Sequence, residues 1–405
     1  MVELFRAVTL AEARRLLNEA WRRRPASTEI VKIENSLGRC LSVPLVSPED
    51  VPGFPRSTVD GIAVRAADTF GASESLPAYL ELIGEIMVGE EAPPLAAAGK
   101  AMRIATGAML PPGADAVVMV EYTEPLDETT VGIVRPVGPG ENVIQAGEDL
   151  KKGQLVFAAG HRLRPPDLGF LATLGCSEVE VESACRVGII STGDELVEVG
   201  RHPARGQIRD ANSYTLLGLV QEAGGKPSRY GIVPDDFAAL QRVLSRALEQ
   251  EDLLLISGGS SVGTRDITFA VLESLAPGGV MFHGIAIKPG KPTLAAIVGD
   301  KPVIGLPGHP ASAIIAFQVL VEPLLRPEHQ NRCIFARLTR NLASAAGRDD
   351  FVRVRLRRQE GEWLAEPLLG KSGLLSTLVG ADGLLHIPAA KQGLMAGDRV
   401  EILMI

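Results

Sequence analysis

The rhythm of polar and apolar positions changes three times along the chain. Between Thr9 and Trp21, the apolar residues Leu10, Ala13, Leu16, Leu17 and Ala20 recur at helical spacing. Thr9 and Glu12 stand in capping-box spacing, so an amphipathic helix is expected. Residues 28–47 read as short strands and a linking segment. From 78 to 135, short apolar runs are broken by turns such as Met109-Leu-Pro-Pro-Gly-Ala114, which predicts a mostly β module. The polar, glycine-rich stretch 137–152 reads as a connection returning the chain to the first module.

Between 186 and 326 apolar runs alternate with helical patterns. Val187–Ser191, Arg229–Val233 and Leu253–Ser257 are predicted strands. Helices are expected from Asn212 through Ala223, from Asp235 onward, over Asp266–Leu275 and over Ser312–Leu325. Asn212 and Asp235 are the expected caps, and Gly224 and Gly225 end the first of these helices. The pattern predicts a doubly wound α/β domain, whose ligands bind beyond the carboxyl ends of the strands. Beyond Cys333, Phe351–Arg357 alternates with period two, and Gly361–Pro367, Gly383–Pro388 and Asp398–Ile405 are strand-like. A small C-terminal β-barrel or sandwich is expected.

A chain of 405 residues implies about two to four domains. Aromatics are only 4%, so the cores must come from Leu, Val, Ile and Ala. The net charge of -8 argues against a nucleic-acid partner. It also means that an anionic substrate would have to be attracted by local lysines or a metal. Cys40, Cys176, Cys185 and Cys333 form no CxxC pair, so reduced thiols are expected and a zinc site is not. Glu3, Arg6, Glu12, Arg14 and Arg15 interrupt any signal peptide. The longest apolar stretch, from Ser312 to Leu325, is broken by Gln318, Glu322 and Pro323, and reads as a buried helix rather than a membrane span. A cytoplasmic protein is expected.

Three glycine-rich turns carry the candidate chemistry. Ser191-Thr-Gly-Asp-Glu-Leu196 and Ser257-Gly-Gly-Ser-Ser-Val-Gly263 follow predicted strands, and Gly305-Leu-Pro-Gly-His-Pro310 ends another. Glycines there let backbone N–H groups approach an anion, and a following helix start adds positive potential. A plain strand-to-helix turn is the alternative. Asp266 at the next helix start would oppose a phosphate unless Mg²⁺ bridged the two. Glu195 and Asp194 read equally as exposed acids in the first turn of a helix. Asp235 and Asp236 read first as helix caps. Lys288 and Lys291 flank Pro289-Gly290, and two lysines held by prolines in one short turn suit anion binding. His309 reads as a turn or helix-start residue. Asp60, Thr106 and Asp149 read alone as turn residues. Arg353, Arg355 and Arg357 share one strand face, most simply a solvated one.

In combination these segments resemble the molybdopterin molybdenumtransferases, the MoeA-type family that includes the E domain of gephyrin. The resemblance rests on Ser57-Thr-Val-Asp-Gly61, Arg103-Ile-Ala-Thr-Gly107, Gly147-Glu-Asp149, the turn at 191–196, Ser257 to Asp266, Ala286-Ile-Lys-Pro-Gly-Lys-Pro292 and Gly305 to Pro310. It continues through Gly370-Lys-Ser-Gly-Leu-Leu-Ser376 and Asp382-Gly-Leu384. The segments span nearly the whole chain in the family order.

The resemblance implies four domains. These are a discontinuous N-terminal helix-and-strand domain (1–47 with 138–180), an inserted β domain (48–137), an α/β molybdopterin-binding domain (181–328) and a C-terminal β-barrel (329–405). It implies a homodimer with its active site between subunits. The implied reaction converts adenylyl-molybdopterin and molybdate to molybdenum cofactor and AMP with Mg²⁺. The implied protein partners are molybdopterin adenylyltransferase and molybdoenzyme acceptors.

By the same resemblance, Thr192, Gly193, Ser257, Gly258, Gly259, Ser261 and Gly263 hold the pterin phosphate side, with Pro292, Pro307 and Gly308 also in the substrate site. Glu195, Asp235 or Asp236, and Asp266 line the cleft, Glu195 and Asp266 as metal ligands. Lys288 and Lys291 are the anion-binding pair, with Ser312, Arg348 and Ser372 as further molybdate residues. Asp60, Thr106 and Asp149 enter from the partner subunit.

The chain departs from the family pattern at several positions. Ile62 stands for a common Tyr, Ser260 for an apolar residue, His309 for a common Asn and Gly284 for a lysine of some members. Val143-Ile-Gln-Ala146 lacks arginines that some members carry. A tungstate-using paralogue and a non-catalytic molybdopterin-binding scaffold are the alternatives. A molybdopterin adenylyltransferase is disfavoured, because its Thr-Gly-Gly turn is absent and residues 40–150 and 333–405 would be superfluous to it.

Overall fold

The computed structural model describes residues 7–21, 27–258, 267–326 and 333–405. The chain divides into two compact units, Met1–Ser27 with Ser183–Ile405, and Thr28–Glu182.

The first unit is built on a six-stranded sheet ordered Lys226–Val233, Arg186–Thr192, Leu253–Ser257, Lys301–Leu306, Leu294–Val298, Val280–His283. The first four strands are parallel, Leu294–Val298 runs antiparallel to both of its neighbours, and Val280–His283 points the same way as the first four. Leu253–Ser257 is buried along its whole length, as expected of an unbroken apolar run covered on both faces. Its side chains divide by parity. Leu253 and Leu255 pack with Leu10, Ala13 and Leu17 of the helix Leu10–Trp21 and with Leu216 and Val220 of the helix Asn212–Glu222. Leu254 and Ile256 face the opposite layer, Leu240 and Leu244 of Phe237–Gln250 and Val271 and Leu272 of Ile267–Leu275. Helices on both faces make the doubly wound architecture. Its parallel strands deliver Val233, Thr192, Ser257 and Leu306 to one edge of the sheet.

Three expected helix boundaries are corrected. Asp236, not Asp235, caps Phe237–Gln250, accepting the Ala239 N–H at 2.8 Å. The two neighbours point apart, so only one can reach the helix end. Asn212 is the first residue of its helix rather than its cap. The Ser213 N–H is taken by the Asp210 carboxylate at 3.1 Å. The helix expected over 312–325 begins at Pro310 and is interrupted by a π-helical segment, Phe317–Val321, ahead of Pro323. Arg14 Nε donates to the carbonyl of Val319 in that segment at 2.8 Å. The expected start at Asp266 lies outside the described residues.

The C-terminal strands settle the choice between barrel and sandwich. Cys333–Leu338, Glu362–Pro367, Asp349–Gln359, Gly383–Ile387 and Arg399–Met404 pair in a closed ring, filled by residues such as Val354, Ala365 and Ile402. The short strand Ile287–Lys288 is added in parallel to the start of Asp349–Gln359.

The second unit contains a six-stranded sheet ordered Ala116–Met119, Gly61–Val64, Lys100–Ile104, Ala78–Ile86, Thr130–Ile133, Thr123–Pro125. Strands before this sheet pair with strands after it, Thr28–Lys32 with Glu178–Glu182 and Leu45–Val46 with Leu155–Phe157. The helix Pro165–Thr173 begins with a charged cluster. The Asp167 carboxylate accepts from the Arg164 N–H at 2.8 Å, from Arg164 Nη2 at 3.0 Å and from the His161 ring at 2.8 Å.

Candidate functional site

At the carboxyl edge of the parallel strands, and against the barrel of the same unit, lies a cleft of about 1250 Å³. Three strand-end turns form one wall. Gly258 follows Ser257 with φ +104, and a Cβ there would fall 2.0 Å from the carbonyl oxygen of Thr192. Only glycine lets the two turns approach so closely. Gly193 has φ +152, and a Cβ there would meet the Glu195 carboxylate at 2.7 Å. Pro307 and Gly308 complete the wall. Asn212 joins the turns, its amide donating to Ser257 Oγ at 2.7 Å and to the carbonyl of Gly308 at 2.8 Å.

The acids divide by function. Asp236 is spent on its helix. Asp235 faces the cleft, where its carboxylate accepts the Thr192 hydroxyl at 2.9 Å. Asp194 accepts the Asp235 N–H at 3.1 Å. Glu195 lines the cleft but belongs to no helix, because the chain after Gly193 turns into the short strand Leu196–Val197. The reading of Glu195 and Asp194 as first-turn helix acids therefore fails. Asp210 is 2% exposed and accepts the Ser191 hydroxyl at 2.8 Å, anchoring the loop that returns to Asn212.

Cations form the facing wall. Lys288, Lys291 and Pro292 lie on a turn containing a cis Lys288–Pro289 bond and Gly290 at φ +118. A Cβ on Gly290 would meet Ile287 Cδ1 at 2.7 Å. Because Lys288 pairs in register with Asp350, this turn lies beside the start of the barrel strand Asp349–Gln359, which Arg348 immediately precedes. Arg348 Nε donates to Asp350 at 2.8 Å. Ser312, Ser372 and Lys371 line the same cleft. His309 stands at the helix start before Pro310, and its Nδ1 pairs with Ser372 Oγ at 3.2 Å.

The cleft thus collects Thr192, Gly193, Glu195, Asp235, Ser257 and Gly258 with the lysine turn, Pro307, Gly308, Ser312, Arg348 and Ser372. Gly259, Ser261, Gly263 and Asp266 lie outside the described residues. Asp60, Thr106 and Asp149 belong to the other unit. There the Asp60 carboxylate accepts both the N–H and the hydroxyl of Thr106, at 2.7 and 2.8 Å. Those bonds hold its pKa below the ordinary value. Asp149 is exposed, and its N–H bonds the carbonyl of Val51 at 3.1 Å.

Sequence reasoning missed Asn212, Lys371 and Arg353 as residues of this cleft. Lys371 lay within a quoted motif and was its readable signal. Arg353 was placed on a solvated face but is 6% exposed and lines the cleft, whereas Arg355 and Arg357 are exposed as expected.

Models of three protein regions match in chain order. They are the MoeA N-terminal region (domain I and II) over residues 8–175, a region described as "Probable molybdopterin binding domain" over 188–327, and the MoeA C-terminal region (domain IV) over 336–405. The molybdopterin molybdenumtransferase of Haemophilus influenzae is 36% identical over 390 residues, covering 93% of this chain and 94% of that protein. That of Bacillus subtilis is 34% identical over 387 residues, covering 93% and 90%. The crystal structure of the molybdopterin biosynthesis MoeA protein from Pyrococcus horikoshii OT3 superposes with a TM-score of 0.85 at 33% identity, covering 99% of this chain and 100% of that one.

Proposed function

This chain belongs to the MoeA family, and from that premise we propose that it is a molybdopterin molybdenumtransferase, converting adenylyl-molybdopterin and molybdate to molybdenum cofactor and AMP. The observation that carries the proposal is the two-walled cleft, with strand-end turns joined by Asn212 facing Lys288, Lys291, Arg348 and Lys371. The turns receive the pterin phosphate side. The cations receive the oxyanion, with the Ser312 and Ser372 hydroxyls beside them. Two unit charges of like sign about 4 Å apart repel by about 4 kcal/mol at an effective dielectric near 20. Bringing a dianion to a phosphoanhydride is therefore unfavourable without such cations.

Magnesium belongs to the same proposal. Among the described residues no three acids, cysteines or histidines converge on a metal position. The cleft does offer the Glu195 and Asp235 carboxylates, a donor set suited to an ion that arrives on substrate phosphates. When bound, it would neutralise charge on the anhydride. Glu195 and Asp235 would hold it, with Asp266 as a further ligand by resemblance.

The proposal includes a homodimer in which Asp60, Thr106 and Asp149 of one protomer serve the partner's cleft. It also includes the four-domain division, a cytoplasmic setting and hand-over from a molybdopterin adenylyltransferase to molybdoenzyme acceptors. No helix among the described residues is long and apolar enough to cross a membrane.

The deciding experiment is AMP release from adenylyl-molybdopterin by purified protein with Mg²⁺, with and without molybdate and in parallel with tungstate. Oxyanion-stimulated release, lost in Lys291→Ala, is expected. Tight binding of the adenylylated pterin without release would favour the scaffold, and absence of binding would overturn the proposal.

A further inference from the structure

The edge strand Lys226–Val233 carries an extra residue against its partner Arg186–Thr192. Arg229 pairs with Ile189, yet Ile232 already pairs with Ser191. Gly231, inside this bulge, has φ +83. A bulge breaks the alternation of faces and re-aims the side chains around it. Tyr230 and Val233 accordingly both pack on the layer of Leu240 and Leu244, although they are three residues apart. Arg229 is turned to the opposite face, at the start of the helix Asn212–Glu222. There its guanidinium carbon lies 4.0 Å from the centre of the Tyr214 ring, and its Nε donates to Ser213 Oγ at 3.0 Å. Its Nη2 stands 3.7 Å from Glu198 and 3.9 Å from Asp210. Those last two are contacts of charge rather than hydrogen bonds.

Asp210 is where three parts of the cleft wall meet. Its Oδ2 accepts the Ser191 hydroxyl, just ahead of Thr192 and Gly193, and its Oδ1 accepts the Ser213 N–H, next to Asn212. Its own N–H donates to the carbonyl of Val197 at 3.0 Å, and the Ile208 N–H donates to that of Glu195 at 2.8 Å. The Thr192 turn, the Glu195 loop and Asn212 are thereby tied to one carboxylate. That carboxylate is buried, and Arg229 is the cation that faces it among the described residues. A buried charge stripped of its partner is strongly unfavourable, so Asp210 holds this arrangement only while Arg229 stays in place. Arg229 itself does not line the cleft, and whatever it does there passes through Asp210.

We propose that Arg229 and Asp210 are a pair of positioning residues for the adenylylated pterin, the strand bulge aiming Arg229 so that Asp210 keeps the Thr192 turn, Glu195 and Asn212 in register with one another. The proposal rests on the reading that this wall of the cleft takes adenylyl-molybdopterin.

The test uses the full chain with Arg229→Met, Arg229→Lys, Asp210→Asn and the double variant Arg229→Met with Asp210→Asn. AMP release is followed against adenylyl-molybdopterin and, separately, against molybdate. For Arg229→Met, the half-saturating adenylyl-molybdopterin concentration should rise at least about tenfold, while the molybdate dependence changes less than about twofold. Arg229→Lys keeps the charge but not the Ser213 bond, and should show a rise of only about threefold. Asp210→Asn should resemble Arg229→Met. The double variant should be no worse than the worse single one, because both changes break the same contact.

An unchanged pterin dependence in a cooperatively melting Arg229→Met protein would overturn the proposal. So would equal losses toward both substrates, or losses that simply multiply in the double variant. If Arg229→Met does not fold, Arg229→Lys decides, with no shift as the overturning result. If the wild-type protein releases no AMP, the transferase reading fails first. Calorimetric titration of adenylyl-molybdopterin then judges the pair, about tenfold weaker binding in Arg229→Met supporting it and equal binding refuting it. A wild-type protein that neither releases AMP nor binds the adenylylated pterin overturns both.

Discussion

Asn212 reaches across from the first turn of its helix to donate 2.7 Å to the hydroxyl of Ser257, leaving the helix end to Asp210. With its second bond to Gly308, it fixes the spacing of two strand-end turns. Replacing Asn212 by Ala leaves both acceptors short of a donor, which should cost about 1–3 kcal/mol in urea unfolding. The half-saturating adenylyl-molybdopterin concentration should rise, and the molybdate dependence should stay as it is. Steady-state AMP release against each substrate checks this.

Asp235 and Asp236 should separate stability from activity. Asp236→Ala removes a helix cap and should lower stability by about 0.5–2 kcal/mol with AMP release retained. Asp235→Asn can still accept the Thr192 hydroxyl, so the fold should keep its stability. It loses a charge in the cleft, and turnover should fall about tenfold or more. Unfolding curves and AMP release on the two variants should show opposite patterns; if both lose only stability, Asp235 has no role in the chemistry.

Two glycines predict opposite signs. Gly258→Ala forces a Cβ to within 2.0 Å of the Thr192 carbonyl at φ +104, and should destabilise by more than about 1 kcal/mol and abolish AMP release. Gly218, exposed within Asn212–Glu222 with nothing within 4 Å of its would-be Cβ, should gain about 0.5–1 kcal/mol as Ala. Denaturant midpoints of the pair measure both.

Acid should act on the second unit through Asp167. The Arg164 guanidinium, helped by His161 and the Arg164 N–H, holds this buried carboxyl well below the usual carboxylate range. Its folded value lies below the unfolded value of about 3.9, so its stabilisation is complete above that pH and is lost as pH falls through the folded value. Asp167→Asn should cost about 1–3 kcal/mol at neutral pH. It should also make the decline in stability below about pH 4 shallower. Urea midpoints across that range test it.

What the chain disclosed in advance follows from locality. Leu253–Ser257 was predicted with its observed bounds because five consecutive buried residues leave a continuous apolar run. Gly193, Gly258 and Gly290 were visible as turn residues because positive φ excludes other side chains. Asp235 and Asp236 could not be told apart, since both suit a cap and only the Thr192 hydroxyl, 43 positions away, selects one. Arg353 was misplaced for a similar reason. Period two puts it with Arg355 and Arg357, but the turn that covers it lies 17 to 24 residues downstream. The π-helical segment at Phe317–Val321 has no signature in the polarity pattern beyond Pro323.

The parallel rungs joining Ile287 to Asp349 and Lys288 to Asp350 bear on how such a chain can drift in evolution. A slip of one residue moves a strand by about 3.3 Å and turns each side chain to the other face. A single codon gained or lost just before Asp349 would therefore carry Arg348 out of step with Lys288, though neither residue had changed. The hairpin turn at Glu360 and Gly361 carries no such constraint, since length added there leaves the rungs at Asp349 and Asp350 untouched. Variation in length among functional descendants should gather at the hairpin tip and be purged beside the rungs.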